Sequence, residues 1–209
     1  MKIHHLWLAI LWAAYCVVHS ALISISATNF FMKALGKGYR FYRLAFNIFS
    51  IAGLAALVVY SRSPRFQGDP VFAWTGPWRI LMYCLIALAF ALVIAGARHY
   101  SMSQFLGIRQ VLENKVSGGM ADSGDFEKTG VLGLVRHPWY VAVFILLWAS
   151  DTNAAGIVIN LVLSAYLVIG TLLEERKLVL EFGDRYKRYQ EEVSMFIPIK
   201  WLGTLLRNG

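Results

Sequence analysis

Residues 78–97 read WRILMYCLIALAFALVIAGA, with Arg79 as the lone charge in twenty positions. Twenty residues of α-helix rise about 30 Å, the thickness of a bilayer's hydrocarbon core. Runs of the same kind occupy about Leu6–Ile25, Phe41–Tyr60 and Ala154–Leu173. One more, Trp139–Ala149, is short and stops at the polar turn Asp151-Thr152-Asn153. These runs predict an all-α integral membrane protein with about five transmembrane helices, forming a single membrane domain over residues 1–209. Within it, residues 1–97 hold three transmembrane helices and 98–128 form a polar loop containing Gly118, Gly119 and Gly124. Residues 129–198 form a helical hairpin and a C-terminal helix, and a charged amphipathic tail follows.

Composition agrees. The chain is 58% hydrophobic and 15% charged, with a mean hydropathy of +0.55. Soluble domains carry about 25% charged residues, so this excess requires lipid as solvent. The first run has Lys2 ahead of it, as a signal peptide would. It is long for such a segment and no clean small-x-small cleavage site follows, so it reads as a retained helix. Cys16 and Cys84 both lie inside apolar runs and read as packing residues, with no disulfide or metal site predicted.

The net charge of +8 calls for an anionic partner, either nucleic acid or an anionic leaflet. Five crossings with the N-terminus outside place sixteen of the twenty Lys and Arg residues on the inner side. Lys2, Arg62, Arg65 and Arg79 remain outside. That is the positive-inside pattern, so topology accounts for the basic surplus and nucleic acid is not needed. The expectation is a multi-pass protein of a prokaryotic cytoplasmic membrane. Its C-terminus and both long polar segments face the cytoplasm.

Three features could carry chemistry. The first runs from Gly130 through Gly133 to Arg136-His137-Pro138-Trp139-Tyr140. Pro138 suits a first helical position, which puts His137 at a helix entrance and Tyr140 one turn in on the same face. The same residues also suit an interfacial anchor, with Arg snorkelling and Trp and Tyr in an aromatic belt. The second is Glu174-Glu175, two carboxylates near the C-terminal end of a membrane helix, where the helix dipole opposes them. A nearby cation or a positively charged ligand would justify Glu174. Glu175 reads better as part of a solvated helix. The third is Phe182-Gly183-Asp184, a helix stop and a new N-cap, followed by Tyr186, Tyr189 and Val193 on one face. By residue type this is an amphipathic interfacial helix. Elsewhere His19, inside the first run, is either a substrate contact or an interhelical hydrogen-bonding residue. Asn47 and Asn160 read as interhelical glue.

Taken in order and spacing, Arg136-His137-Pro138-x-Tyr140, Glu174-Glu175-x-x-Leu178 and Phe182-Gly183-x-x-Tyr186-x-x-Tyr189-x-x-x-Val193, ending at Ile197-Pro198, resemble the isoprenylcysteine carboxyl methyltransferase family and its phospholipid methyltransferase relatives. The likeness covers about Phe126 to Pro198. It implies S-adenosylmethionine as cofactor, bordered by Gly130, Val131 and Leu132 (the family often has Tyr at the last position). It also implies contacts from His137, Pro138 and Tyr140, and Glu174 as the carboxylate that holds the cofactor. Arg136 or His137 could favour a thiolate acceptor. The acceptor, a lipophile or small molecule, would enter laterally from the bilayer lipid. The family's prenylcysteine enzymes carry an Arg shortly before the carboxylate pair, whereas Leu167–Leu173 has none. Tyr42-Arg-Leu-Ala-Phe-Asn47, Phe105-Leu-Gly-Ile-Arg109-Gln110 and Ser194-Met-Phe-Ile-Pro198 are similar to a prokaryotic branch that methylates small thiols such as methanethiol. Two rival readings are an NADPH-dependent membrane reductase of the sterol reductase type and a non-catalytic membrane accessory protein. The reductases are longer and lack the paired Glu.

Overall fold

A computed structural model describes residues 3–99, 101–113 and 129–208. Most of the predicted loop 98–128, including Lys115, Gly118, Gly119, Gly124 and Lys128, lies outside the described residues. The α-helices are α1 (Ile3–Leu22), α2 (Ile25–Leu35), α3 (Tyr42–Ser61), α4 (Trp78–Ala97), α5 (Met102–Phe105), α6 (Ile108–Glu113), α7 (Pro138–Trp148), α8 (Ala154–Phe182), α9 (Asp184–Glu192) and α10 (Ile199–Asn208). No strand occurs among the described residues, only two isolated β-bridges, Phe72 with Thr152 and Val135 with Ser194.

Four stretches are long and apolar enough to cross a membrane: α1, the continuous Ile25–Ser61, α4 and α8. Their outward side chains are apolar, as on α4, where Ile80, Phe90 and Ile94 are exposed. A helix apolar all round needs either a protein core or lipid about it, and these have lipid. The chain is therefore an all-α integral membrane protein. The first predicted run ends at Leu22 because Ser24 starts a new helix, its Oγ accepting from the Ala27 N–H at 3.2 Å. The last predicted run does not end at Leu173. Leu, Glu, Arg and Lys are all good helix formers, so α8 continues to Phe182.

The chain folds as two compact units interleaved along its length. One holds residues 3–72, 101–113 and 152–166; the other holds 73–99, 129–151 and 167–208. The first is built around Leu8, Trp12, Phe66 and Ala155. Trp12 Nε1 donates to Ser61 Oγ at 3.1 Å, so even the buried indole N–H has a partner. His19 takes the interhelical role: its Nδ1 lies 2.9 Å from the Tyr166 hydroxyl, which also accepts the Ser20 O–H at 3.1 Å. Asn47 Nδ2 donates to the Phe105 carbonyl at 3.1 Å and pins the short α5.

In the second unit α7 lies antiparallel along α4. Near one end, Trp139 Nε1 donates to the Val93 carbonyl at 3.1 Å. Near the other, Trp74 Nε1 donates to the Trp148 carbonyl at 3.1 Å and Trp74 N to Asp151 Oδ1 at 2.8 Å. Eleven residues rise only about 17 Å, so α7 alone is too short to cross. Beyond its end, Asp151 Oδ2 lies 3.7 Å from Arg79 Nη2 at the start of α4. The close approach depends on Gly96, where a Cβ would run into the Trp139 indole. Gly96→Leu is therefore expected to destabilise the unit by about 1–3 kcal/mol through overpacking. Gly170→Ala, whose Cβ would meet nothing within 4 Å, serves as the neutral control. Thermal unfolding of both variants in detergent checks the difference.

Candidate functional site

The segment leading into α7 is held by extended pairing with the chain that follows α9. Val135 bridges Ser194, Arg136 N donates to the Ser194 carbonyl at 2.9 Å, and His137 N to the Met195 carbonyl at 3.3 Å. Just upstream, a 3-10 turn spans Gly130–Gly133, and the Tyr189 hydroxyl donates to its Leu132 carbonyl at 2.6 Å. Pro138 occupies the first turn of α7 as predicted, so His137 stands at the entrance. Tyr140 follows on the same face; the two rings stack with centroids 5.5 Å apart and planes 16° from parallel.

Across from this entrance, α8 presents Glu174 and Glu175. Adjacent helical residues point about 100° apart, so the two carboxylates meet different partners. Glu175 is only 6% exposed, and the solvated role read for it from residue type is corrected. Its Oε1 receives Arg136 Nε at 2.7 Å and His137 Nε2 at 3.0 Å, with the Tyr186 hydroxyl farther off at 3.5 Å. Its Oε2 receives Gln190 Nε2 at 2.9 Å. An ionised carboxylate only accepts, so His137 Nε2 carries the hydrogen in this contact. Arg136 and His137 are buried with it. Arg136 Nη1 spends its donors on the Gln190 carbonyl at 3.1 Å and on the Val193 carbonyl. Burial, and then the neighbouring Glu175 charge, push the Tyr186 phenol above its ordinary range, so it stays a neutral donor.

Glu174 is the more open of the pair. Its Oε2 receives the Tyr140 O–H at 2.6 Å and lies 4.0 Å from His137 Nδ1. Of the residues singled out in the sequence, His137, Tyr140 and Glu174 thus come together on one face. Arg136 is drawn behind that face into the Glu175 contact. Gly130, Val131 and Leu132 form the turn beside it, with Gly130 at φ +57° and its missing Cβ 3.1 Å from His99 Nε2. Tyr186, Tyr189 and Val193 share a buried cluster, but α9 ends at Glu192 and Val193 joins it from extended backbone rather than from the same helix. Gly183, at φ +58°, makes the predicted break between α8 and α9. Glu175 and Gln190 were not foreseen as site residues. The available signal for Glu175 was Arg136 and His137, two donors adjacent in sequence that need an acceptor when buried. An open cavity of about 500 Å³ adjoins Glu175 and Gln190, with Leu172, Val179 and Leu180 on its wall.

An all-α membrane protein with a polar, charge-paired site at the entrance of a short helix is a restricted class. A family profile described as NnrU protein matches residues 6–204, and the chain belongs to that family. Among curated proteins, methanethiol S-methyltransferase of Pseudomonas sp. (strain GM41(2012)) is 33% identical over 131 residues, 62% of this chain and 50% of that protein. Methanethiol S-methyltransferase 1 of Bradyrhizobium diazoefficiens is 32% identical over 133 residues, 62% of this chain and 46% of that protein. Protein-S-isoprenylcysteine O-methyltransferase of Schizosaccharomyces pombe is 36% identical over 76 residues, 34% of this chain and 31% of that protein. The chain spans about half the length of the methanethiol relatives it matches. The resemblance read from its motifs agrees with these relatives. No solved structure gives a significant match.

Breaking the buried pair should be costly, because it strands a charge. Glu175→Leu and Arg136→Met are each expected to cost about 3–5 kcal/mol. The double variant should cost clearly less than the sum, because it strands neither charge. A double-mutant cycle on thermal stability in detergent measures the coupling.

Proposed function

We propose that this chain is an S-adenosylmethionine-dependent methyltransferase of the membrane, acting on a small thiol. The observation that carries the reading is the Glu174–Tyr140–His137 face: a part-exposed carboxylate, oriented by a 2.6 Å hydrogen bond, beside two stacked aromatic rings. This donor set fits a ligand bearing a sulfonium and an ammonium, since the anion and an aromatic face both favour cations. Gly130, Val131, Leu132 and Pro138 would border the ligand. Leu132 is held in place through its carbonyl by Tyr189. Two curated relatives named methanethiol S-methyltransferase support the thiol, as does the lack of an Arg in Leu167–Leu173 to hold a carboxylate acceptor.

When bound, S-adenosylmethionine supplies an activated methyl group, so the protein's task is orientation, desolvation and removal of one proton. Glu174 fixes the ligand's cationic end, and Tyr140 fixes Glu174. A thiol must lose its proton to become a good nucleophile. His137 Nε2–H is committed to Glu175, which leaves Nδ1 as the ring's basic atom, on the Glu174 side. A proton taken at Nδ1 makes an imidazolium flanked by two carboxylates, an arrangement that stabilises the charge. Arg136 acts as a positioning residue: it neutralises Glu175 and holds His137's partner still. With α7 and stretch 149–153 counted as a crossing, the chain passes the bilayer five times, N-terminus outside. The site then lies at the cytoplasmic face, where the cofactor enters from water and the acceptor from lipid.

Calorimetric titration of detergent-purified protein with S-adenosylmethionine, S-adenosylhomocysteine and NADPH tests the cofactor. Binding of the first two is expected; binding of NADPH alone would make the protein a reductase, and binding of none would make it an accessory protein. Glu174→Gln and Tyr140→Phe should each weaken S-adenosylmethionine binding about tenfold, the worth of a hydrogen bond to a charged group. A methyl-transfer assay over methanethiol, a prenylcysteine and a phospholipid amine tests the acceptor. His137→Ala should there reduce turnover more than cofactor affinity; full turnover in this variant would remove His137 as the proton acceptor.

A further inference from the structure

The C-terminal helix α10 plays no part in the site, yet its side chains are sorted with unusual clarity. At about 100° per residue, Ile199, Trp201, Leu202, Leu205 and Leu206 fall within an arc of about 160°. Lys200, Gly203, Thr204, Arg207 and Asn208 fill the rest. In an ordinary amphipathic helix of a globular protein, the apolar arc packs inward. Here the arc points away from the protein: all five of its apolar side chains are exposed, Leu206 by 85%. The polar arc supplies the contact with the protein instead. Lys200 Nζ donates to the carbonyls of Gln190 at 2.6 Å and Glu191 at 2.7 Å, and Lys200 N to Ser194 Oγ at 3.1 Å. This caps the last turn of α9, whose carbonyls have no partner within the helix.

Two materials could cover such a face: a protein or the lipid of the bilayer the chain already spans. Charge favours lipid. Residues 193–208 carry Lys200 and Arg207 and no acidic residue, in a chain of net charge +8, whereas the three basic and three acidic residues of α9 cancel. An apolar arc containing a Trp, backed by a polar arc whose only charges are basic, is the composition of a helix lying at an anionic interface. We propose that α10 lies in the plane of an anionic leaflet with its apolar arc among the acyl chains, and that this docking braces the buried charge network. The brace runs through Gln190. Its carbonyl accepts both Lys200 Nζ and Arg136 Nη1, and its amide holds Glu175. Lipid contact at α10 is thus linked to the partners of His137 by two residues, Lys200 and Gln190. The inference does not depend on which reaction the site performs.

The test uses the full chain in nanodiscs, with spin labels at Leu206→Cys or Thr204→Cys in a Cys84→Ser background. The label at 206 should collide with oxygen and be shielded from a water-soluble nickel chelate, and the label at 204 should show the reverse. Replacing phosphatidylcholine with phosphatidylglycerol should increase the shielding at 206. A label at 206 as open to nickel as the one at 204 would place α10 in water and overturn the proposal. So would a label shielded from both reagents, which would mean protein packing, or shielding indifferent to phosphatidylglycerol. For the brace, Leu202→Ser/Leu206→Ser should speed amide exchange at residues 190–193 by about tenfold, as for a locally loosened segment. Lys200→Met should do the same without moving the label at 206. Unchanged exchange in both would leave α10 a membrane anchor with no link to the site.

Discussion

A carboxylate withdrawn from water costs several kcal/mol unless its charge is met and both oxygens are hydrogen-bonded. Glu175 satisfies that condition with three donors from two separate parts of the chain: Arg136 and His137 before α7, and Gln190 on α9. No local segment could do this, so the end of α8, the entrance of α7 and α9 must assemble together or not at all. The extended pairing of 135–137 with 194–195 follows from the same demand. Arg136 can reach Glu175 and the carbonyls of α9 only if its backbone is held beside them.

This constraint divides the labour between two identical neighbours. Glu175 is used up by the fold. Glu174, one step round the helix, accepts the Tyr140 hydrogen bond and is the more exposed of the two. His137 joins the two functions, with Nε2 turned to the structural carboxylate and Nδ1 to the open one. A ring fixed in this way has its two nitrogens assigned to different carboxylates.

The membrane imposes a second constraint, on length. A helix of eleven residues falls short of the hydrocarbon core, and α7 is tolerated because α4 flanks it over almost its full length. Tryptophans tie both ends: Trp139 to Val93 and Trp74 to Trp148. Gly96 lets the two helices close on one another.

The spans could be read from the linear chain because lipid acts on each segment independently. A run of twenty apolar residues is the same statement in any fold, and α4 occupies the predicted Trp78–Ala97 to the residue. The start of α7 at Pro138 and the break at Gly183 were also legible, since both depend on backbone chemistry within a few residues. The pairing of His137 with Tyr140 follows from helical spacing alone. What stayed hidden was the partner of each charge. Nothing within four residues of Glu175 distinguishes it from a solvated surface carboxylate. Its burial depends on Arg136, 39 positions away, and on Gln190, 15 positions away. The same is true of α10, whose sorted faces are visible in its sequence although the direction they point is not. Which way a charged or apolar side chain turns is decided by the desolvation cost of the whole assembled site, and that cost has no value until distant segments meet.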